Sequence, residues 1–166
     1  MCGGGSPTLL WHEKCGLVLA GTFHTYSTIE HDNMQSPRHD PDVRCMTPRL
    51  EAEGWSSDCD AEATADVRMD GDVLIYVVKG RHHAVTYELA AGGLTIRAKG
   101  DGAWRYVLPV DVNAADRVTV RTNGKLTHEP SAAGRHSFTP VAGLLTDYQV
   151  IQPPADGSLV IELGIK

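Results

Sequence analysis

Several signals are missing from this chain of 166 residues, and each absence removes a class of function. Aromatic residues make up only 6%, with two phenylalanines, so a surface lined with stacking rings is not written in the composition. Lysine and arginine number 15 against 21 aspartates and glutamates, a formal charge of -6. No basic block offsets that average, which argues against nucleic acid, because phosphate binding needs a positive face. The longest apolar stretch, Gly16 to Gly21, is far too short to span a bilayer, so no membrane partner is expected, and nothing resembles a secretory signal. CxxC, GxSxG, HExxH, GxxxxGK[ST] and GxGxxG are all absent, which removes the zinc ribbon, the hydrolase elbow, the zincin, the P-loop and the dinucleotide fold. No cofactor is expected. Neither an internal repeat nor a sustained helical period occurs.

What is present is a rhythm of two. Ala61, Ala63, Ala65, Val67 and Met69 interleave with Glu62, Thr64, Asp66 and Arg68, and Val85, Tyr87 and Leu89 with Thr86 and Glu88. Leu94, Ile96 and Ala98 alternate with Thr95, Arg97 and Lys99. Successive side chains of a strand point to opposite faces, so each segment should carry one dry face and one wet face. About ten or eleven strands are expected, separated by glycine, aspartate, asparagine and proline. Trp104, Tyr106, Leu108 and Val110 share one face of such a strand, Val73 to Val78 reads as a buried run, and Asn113 to Asp116 has room for one helical turn. Asn123-Gly124, between Arg117–Thr122 and Lys125–His128, is the strongest hairpin signal, and His136 to Thr139 reads as a further short strand. The predicted architecture is all-β, a large antiparallel two-sheet sandwich, with a jelly roll as the alternative. Residues 1–7 form a glycine-rich leading segment without a packing signal, and residues 8–166 a single domain.

Cysteines at positions 2, 15, 45 and 59 allow either two disulfides, in three connectivities, or free thiols, with Cys15 placed as a small core residue. Thr28 to Ser57 holds three prolines and two histidines and follows no period, apart from a short strand expected near Arg49 to Glu53. A long loop on a β scaffold is where binding residues concentrate.

Most of the candidates for chemistry lie in that loop or just before it. His24 and Tyr26 share a strand face, where an imidazole accepting a proton beside a phenol donating one suits β-elimination; a half-exposed strand end has the same signature. Glu30-His31-Asp32-Asn33-Met34-Gln35 is rich in hydrogen-bonding side chains and suits a ligand dense in hydroxyls, or a solvated turn. His39-Asp40-Pro41-Asp42 offers metal-ligand types, but adjacent ligands close a site only with distant partners, and His82-His83 is the pair available elsewhere; no metal is assigned. Of the three tryptophans, Trp104 lies in phase with a core face, and Trp55, beside Gly54 and two serines, is expected to be the exposed one, as a sugar platform or as a lid on the core.

Pro7-Thr8-Leu9-Leu10-Trp11-His12, Gly16-Leu17-Val18-Leu19-Ala20, Tyr26 and Asn33-Met34-Gln35 resemble the β-sandwich portion of heparinase II/III-type polysaccharide lyases. Tyr87-Glu88-Leu89 through Gly92-Gly93-Leu94-Thr95-Ile96 is similar to the supersandwich strands of the same family. The resemblance implies a C-terminal domain that follows a helical toroid, with an acidic polysaccharide or oligosaccharide in the cleft between them. It implies that the toroid, as a helical catalytic domain of the same parent protein, carries key catalytic residues. The sandwich would then support the cleft without being active alone. The catalytic candidates it leaves here are His24, Tyr26 and His31, and the substrate-binding candidates are Asn33, Gln35, Arg38 and Trp55. Arg38, Arg44 and Arg49 would form the basic patch that a polyanion requires in an acidic domain. The alternatives are a free-standing carbohydrate-binding module, and a structural domain bracing a catalytic partner with an apolar patch left exposed.

Overall fold

The computed structural model describes residues 5–7, 9–20, 48–111, 116–129 and 146–166. Within them the chain forms thirteen strands and no α-helix: β1 (Leu9–His12), β2 (Gly16–Ala20), β3 (Arg49–Ala52), β4 (Trp55–Ser56), β5 (Thr64–Asp70), β6 (Val73–Lys79), β7 (His83–Ala90), β8 (Gly93–Gly100), β9 (Trp104–Asp111), β10 (Val118–Thr122), β11 (Lys125–Glu129), β12 (Thr146–Gln152) and β13 (Leu159–Ile165). A single 3-10 turn covers Ser57–Cys59. Two antiparallel sheets carry most of these strands. One has six, in the order β10-β13-β8-β7-β6-β5, and the other five, in the order β11-β12-β9-β3-β4. The β1–β2 hairpin is a separate two-stranded ribbon. The all-β sandwich is therefore as expected; Asn113 to Ala115 of the helical turn expected up to Asp116, and the strand at His136 to Thr139, fall outside the described residues.

The core lies between the sheets. Val85, Tyr87, Leu94, Ile96, Ala98, Leu159, Ile161 and Leu163 of the larger sheet meet Leu50, Trp104, Tyr106, Leu108, Val110 and Ile151 of the smaller. The hairpin adds Leu10, Cys15, Val18 and Leu19, and Cys15 donates its thiol to the Arg117 carbonyl at 3.7 Å. Each large side chain withdrawn from water contributes about 1.5–3 kcal/mol, so the two inner faces dominate stability. One polar link crosses this interior: the Tyr87 and Tyr106 hydroxyls lie 3.4 Å apart, and burial pushes both phenols well above their ordinary range. A neutral hydroxyl pair can satisfy itself where a charge would be costly.

Three expectations need correction. Asn123-Gly124 makes no hairpin. β10 pairs with β13 in the six-stranded sheet, whereas β11 pairs with β12 in the other, so the dipeptide carries the chain across the sandwich. Gly124 lacks the positive φ that a type I′ turn demands. Asparagine is used instead for its amide, which donates to the Ser158 carbonyl and accepts from the Val160 amide. The alanine-rich segment starts its strand at Thr64 rather than Ala61, and it has no dry face, since all seven β5 residues are exposed. Its phase is right, but no opposing strand lies over it among the described residues. Val73 to Val78 is buried only at Ile75 and Val78, because β6 is next to that margin. Asp70-Gly71-Asp72 joins β5 to β6 in a tight hairpin, with Gly71 at φ 56°.

Candidate functional site

Turns from both sheets converge at one end of the sandwich. The β3–β4 turn, the β8–β9 turn and the Pro153–Gly157 stretch after β12 surround a recess of about 800 Å³. A second recess of about 350 Å³ lies between Gly54–Ser56, Cys59–Glu62 and Arg81–His83. Trp55 and Ser56 border both, so the indole stands as the partition of one divided groove.

Local packing fixes that indole. Trp55 stacks on His83 with ring centroids 6.2 Å apart and planes 12° apart, and lies 5.7 Å from His82. Gly100 makes room for it: a Cβ there would stand 3.1 Å from both the Trp55 and the Trp104 rings. His82 Nδ1 is 3.3 Å from the Asp101 carboxylate, and His83 is buried with Nδ1 3.8 Å from Asp60 Oδ2. Gly80 is a second obligatory small residue, since a Cβ would come within 2.1 Å of the His83 ring.

Charged groups flank the rings in fixed pairs. On the larger recess, Glu51 Oε2 accepts from Arg49 Nε at 2.8 Å, while its Oε1 accepts from Arg105 Nε at 2.7 Å. On the smaller one, Asp60 accepts from the Arg81 amide at 2.6 Å and from the Glu62 amide at 3.0 Å, and the Arg81 guanidinium pairs with Glu62. The Arg81 amide is the main cause that holds the Asp60 carboxyl below its ordinary range; burial opposes it, and the Glu62 amide and the nearby His83 and Arg81 charges add to it. A partly open indole edge between carboxylates and guanidinium groups can place the C–H face of a sugar ring and bridge its hydroxyls.

Of the residues expected from sequence to form a site, His24, Tyr26, His31, Asn33, Gln35 and Arg38 lie outside the described residues, as do Arg44 and the His39-Asp40-Pro41-Asp42 segment. Trp55 is at the groove, but half-buried; the exposed tryptophan is Trp11, 61% accessible on the β1–β2 hairpin. Gly54 and two serines signalled exposure, whereas the indole is drawn in by the two histidines. Arg49 gives no open basic patch, being buried and engaged by Glu51. No group of three His, Cys, Asp or Glu side chains among the described residues is arranged to hold a metal. Glu51, Asp60, Arg81 and Arg105 were not legible as a set, because they come from separate strands and turns. The only local signal was the doubled histidine at 82–83.

A family model described as the Ulvan lyase C-terminal domain matches residues 1–81. That span is just under half of the chain, and it ends at Arg81, so it includes Trp55, Asp60 and Glu62 of the groove. This part of the chain is thus similar to the C-terminal domain of a polysaccharide lyase. No curated protein and no solved structure matches.

Proposed function

We propose that this sandwich serves as the C-terminal, non-catalytic part of a polysaccharide lyase, and that the divided groove around Trp55 is where it meets the polysaccharide. The observation that carries the reading is the match of residues 1–81 to a lyase C-terminal domain, since the matched span holds the partition residue and one wall of the groove. The chemistry of the groove agrees with it. Ring stacking supplies affinity without demanding a sequence of charges, and the paired carboxylates and guanidinium groups supply direction.

The heparinase II/III-type arrangement refines this proposal: a helical domain of the same parent would provide the catalytic centre, and the sandwich would complete the cleft for an acidic chain. His24, Tyr26 and His31, with Asn33, Gln35 and Arg38, remain the residues proposed to face that cleft. Arg105 and Arg81 are the cations of the groove itself, each already beside a carboxylate, which favours hydroxyl-rich stretches over dense negative charge.

Tryptophan fluorescence of the chain, titrated with ulvan oligosaccharides, tests the reading. Saturable quenching is expected, and Trp55→Phe should weaken binding about tenfold while leaving the circular dichroism unchanged. The chain alone should generate no unsaturated uronate. Absence of binding, or lyase activity without a second domain, would overturn the assignment.

A further inference from the structure

β5 is the last strand of the six-stranded sheet and pairs only with β6 among the described residues. Its pairing is regular from Thr64↔Lys79 to Asp70↔Val73, with no bulge, and its sequence contains no proline. Bulges and prolines are two of the devices by which natural sheets discourage a second strand from joining an edge; charged side chains are a third, and β5 carries those on its outward face alone. Its inward face carries Ala65, Val67 and Met69, in phase with Val78, Tyr76 and Leu74 of β6. That row continues the core face of the sheet, yet Val67 is 58% and Met69 60% accessible.

The outward face carries the second observation. Thr64, Asp66, Arg68 and Asp70 alternate with the apolar row, and β6 places only Val77, Ile75 and Val73 opposite the three charges. Among the described residues none of these three charges forms an ion pair. Among the described residues the strand therefore presents an open backbone edge, an uncovered apolar row, and alternating charges without partners.

We propose that this edge is an interface between two copies of the chain, joined antiparallel about a two-fold axis through Val67. In that register Val67 lies opposite its own copy, and Ala65 lies opposite the partner's Met69. Asp66 meets the partner's Arg68, and Thr64 meets the partner's Asp70. Opposite charges face each other twice, and the apolar row doubles on the inner side. Moving the axis one residue, to Asp66 or to Arg68, would set two identical charges against each other. The sequence of β5 is self-complementary in one register and self-repelling in its neighbours, which is how register becomes specified at an edge. The two six-stranded sheets would then run as one continuous sheet. The sugar-binding reading is independent of this one, since no β5 residue borders the Trp55 groove.

Sedimentation equilibrium of the chain over a wide concentration range, alongside Asp66→Arg, Arg68→Asp and the double exchange, tests the proposal. The wild-type chain should dimerise. Each single reversal places like charges opposite each other twice per dimer and should raise the dissociation constant about tenfold or more. The double exchange restores opposite charges and should return it to within about threefold of wild type. Both positions are exposed, so unchanged circular dichroism is expected throughout. A chain that stays monomeric up to near-millimolar concentration would overturn the proposal and leave the edge to a different domain. So would a dimer indifferent to the single reversals, or a double exchange as weak as its components.

Discussion

The two margins of the six-stranded sheet are built from similar alternating sequence and finish differently. β10, at one margin, is followed by Asn123-Gly124, which steps to the opposing sheet and leaves Val118 buried against the core. β5, at the other, is followed by a plain hairpin back into its own sheet and keeps every residue exposed. The contrast teaches that alternation specifies which side chains share a face, while the connection decides whether anything covers that face. A turn that changes sheets closes a sandwich; a turn that stays in its sheet leaves the margin open.

The sharpest way to break this comparison is at the closed margin. A Cβ at Gly124 would stand 2.4 Å from the Gln152 carbonyl oxygen, and a backbone atom cannot swing aside. Gly124→Ala should cost about 2–3 kcal/mol in urea unfolding, with the loss spread over both sheets. A cost near zero would show that the crossing does not hold the sheets together.

An intermediate effect is expected where the open margin is anchored. Asp60 ties the approach to β5 to the β6–β7 turn through the Glu62 and Arg81 amides. Its folded pKa is depressed from the ordinary 3.8, so its stabilisation is present above that value and is lost as pH falls through the folded pKa. Asp60→Asn should therefore lower stability by about 1–2 kcal/mol at neutral pH, and the gap from wild type should close below about pH 4. Thermal unfolding midpoints of both proteins across pH measure this. A gap that persists unchanged in acid would remove the carboxylate from the account.

The smallest effect belongs to the open margin itself. Met69→Thr, at a position in phase with the core yet 60% accessible, should alter the unfolding free energy of the monomer by no more than about 0.5 kcal/mol. A loss several times larger would mean that the face is covered, and the comparison would fail.

Much of the fold was legible in the chain. Leu94, Ile96 and Ala98, and Trp104, Tyr106, Leu108 and Val110, were placed on buried faces by periodicity alone, and the structure buries all seven. Periodicity is local, and a strand's faces follow from its own pleat. Asn123-Gly124 misled because the same dipeptide suits a tight hairpin and a sheet crossing, and the choice rests on Ser158 and Val160, more than thirty residues away. Trp55 was read as an exposed loop residue; its half-burial was not legible, because it depends on His82 and His83 across the sandwich end. The remaining groove residues had no signal, since nothing along the chain links Glu51 to Arg105 or Asp60 to Arg81.

The amino-acid order by itself determined an all-β chain, which side chains of a strand share a face, and the acidic balance of its charge. Those properties follow from neighbours two residues apart and from summed charge, which need no fold. Only the tertiary structure decided which dry faces are roofed, which turn changes sheets, and which carboxylates stand beside which guanidinium groups at the groove. Each of those depends on residues distant in sequence meeting in space, and their meeting is set by packing between the sheets.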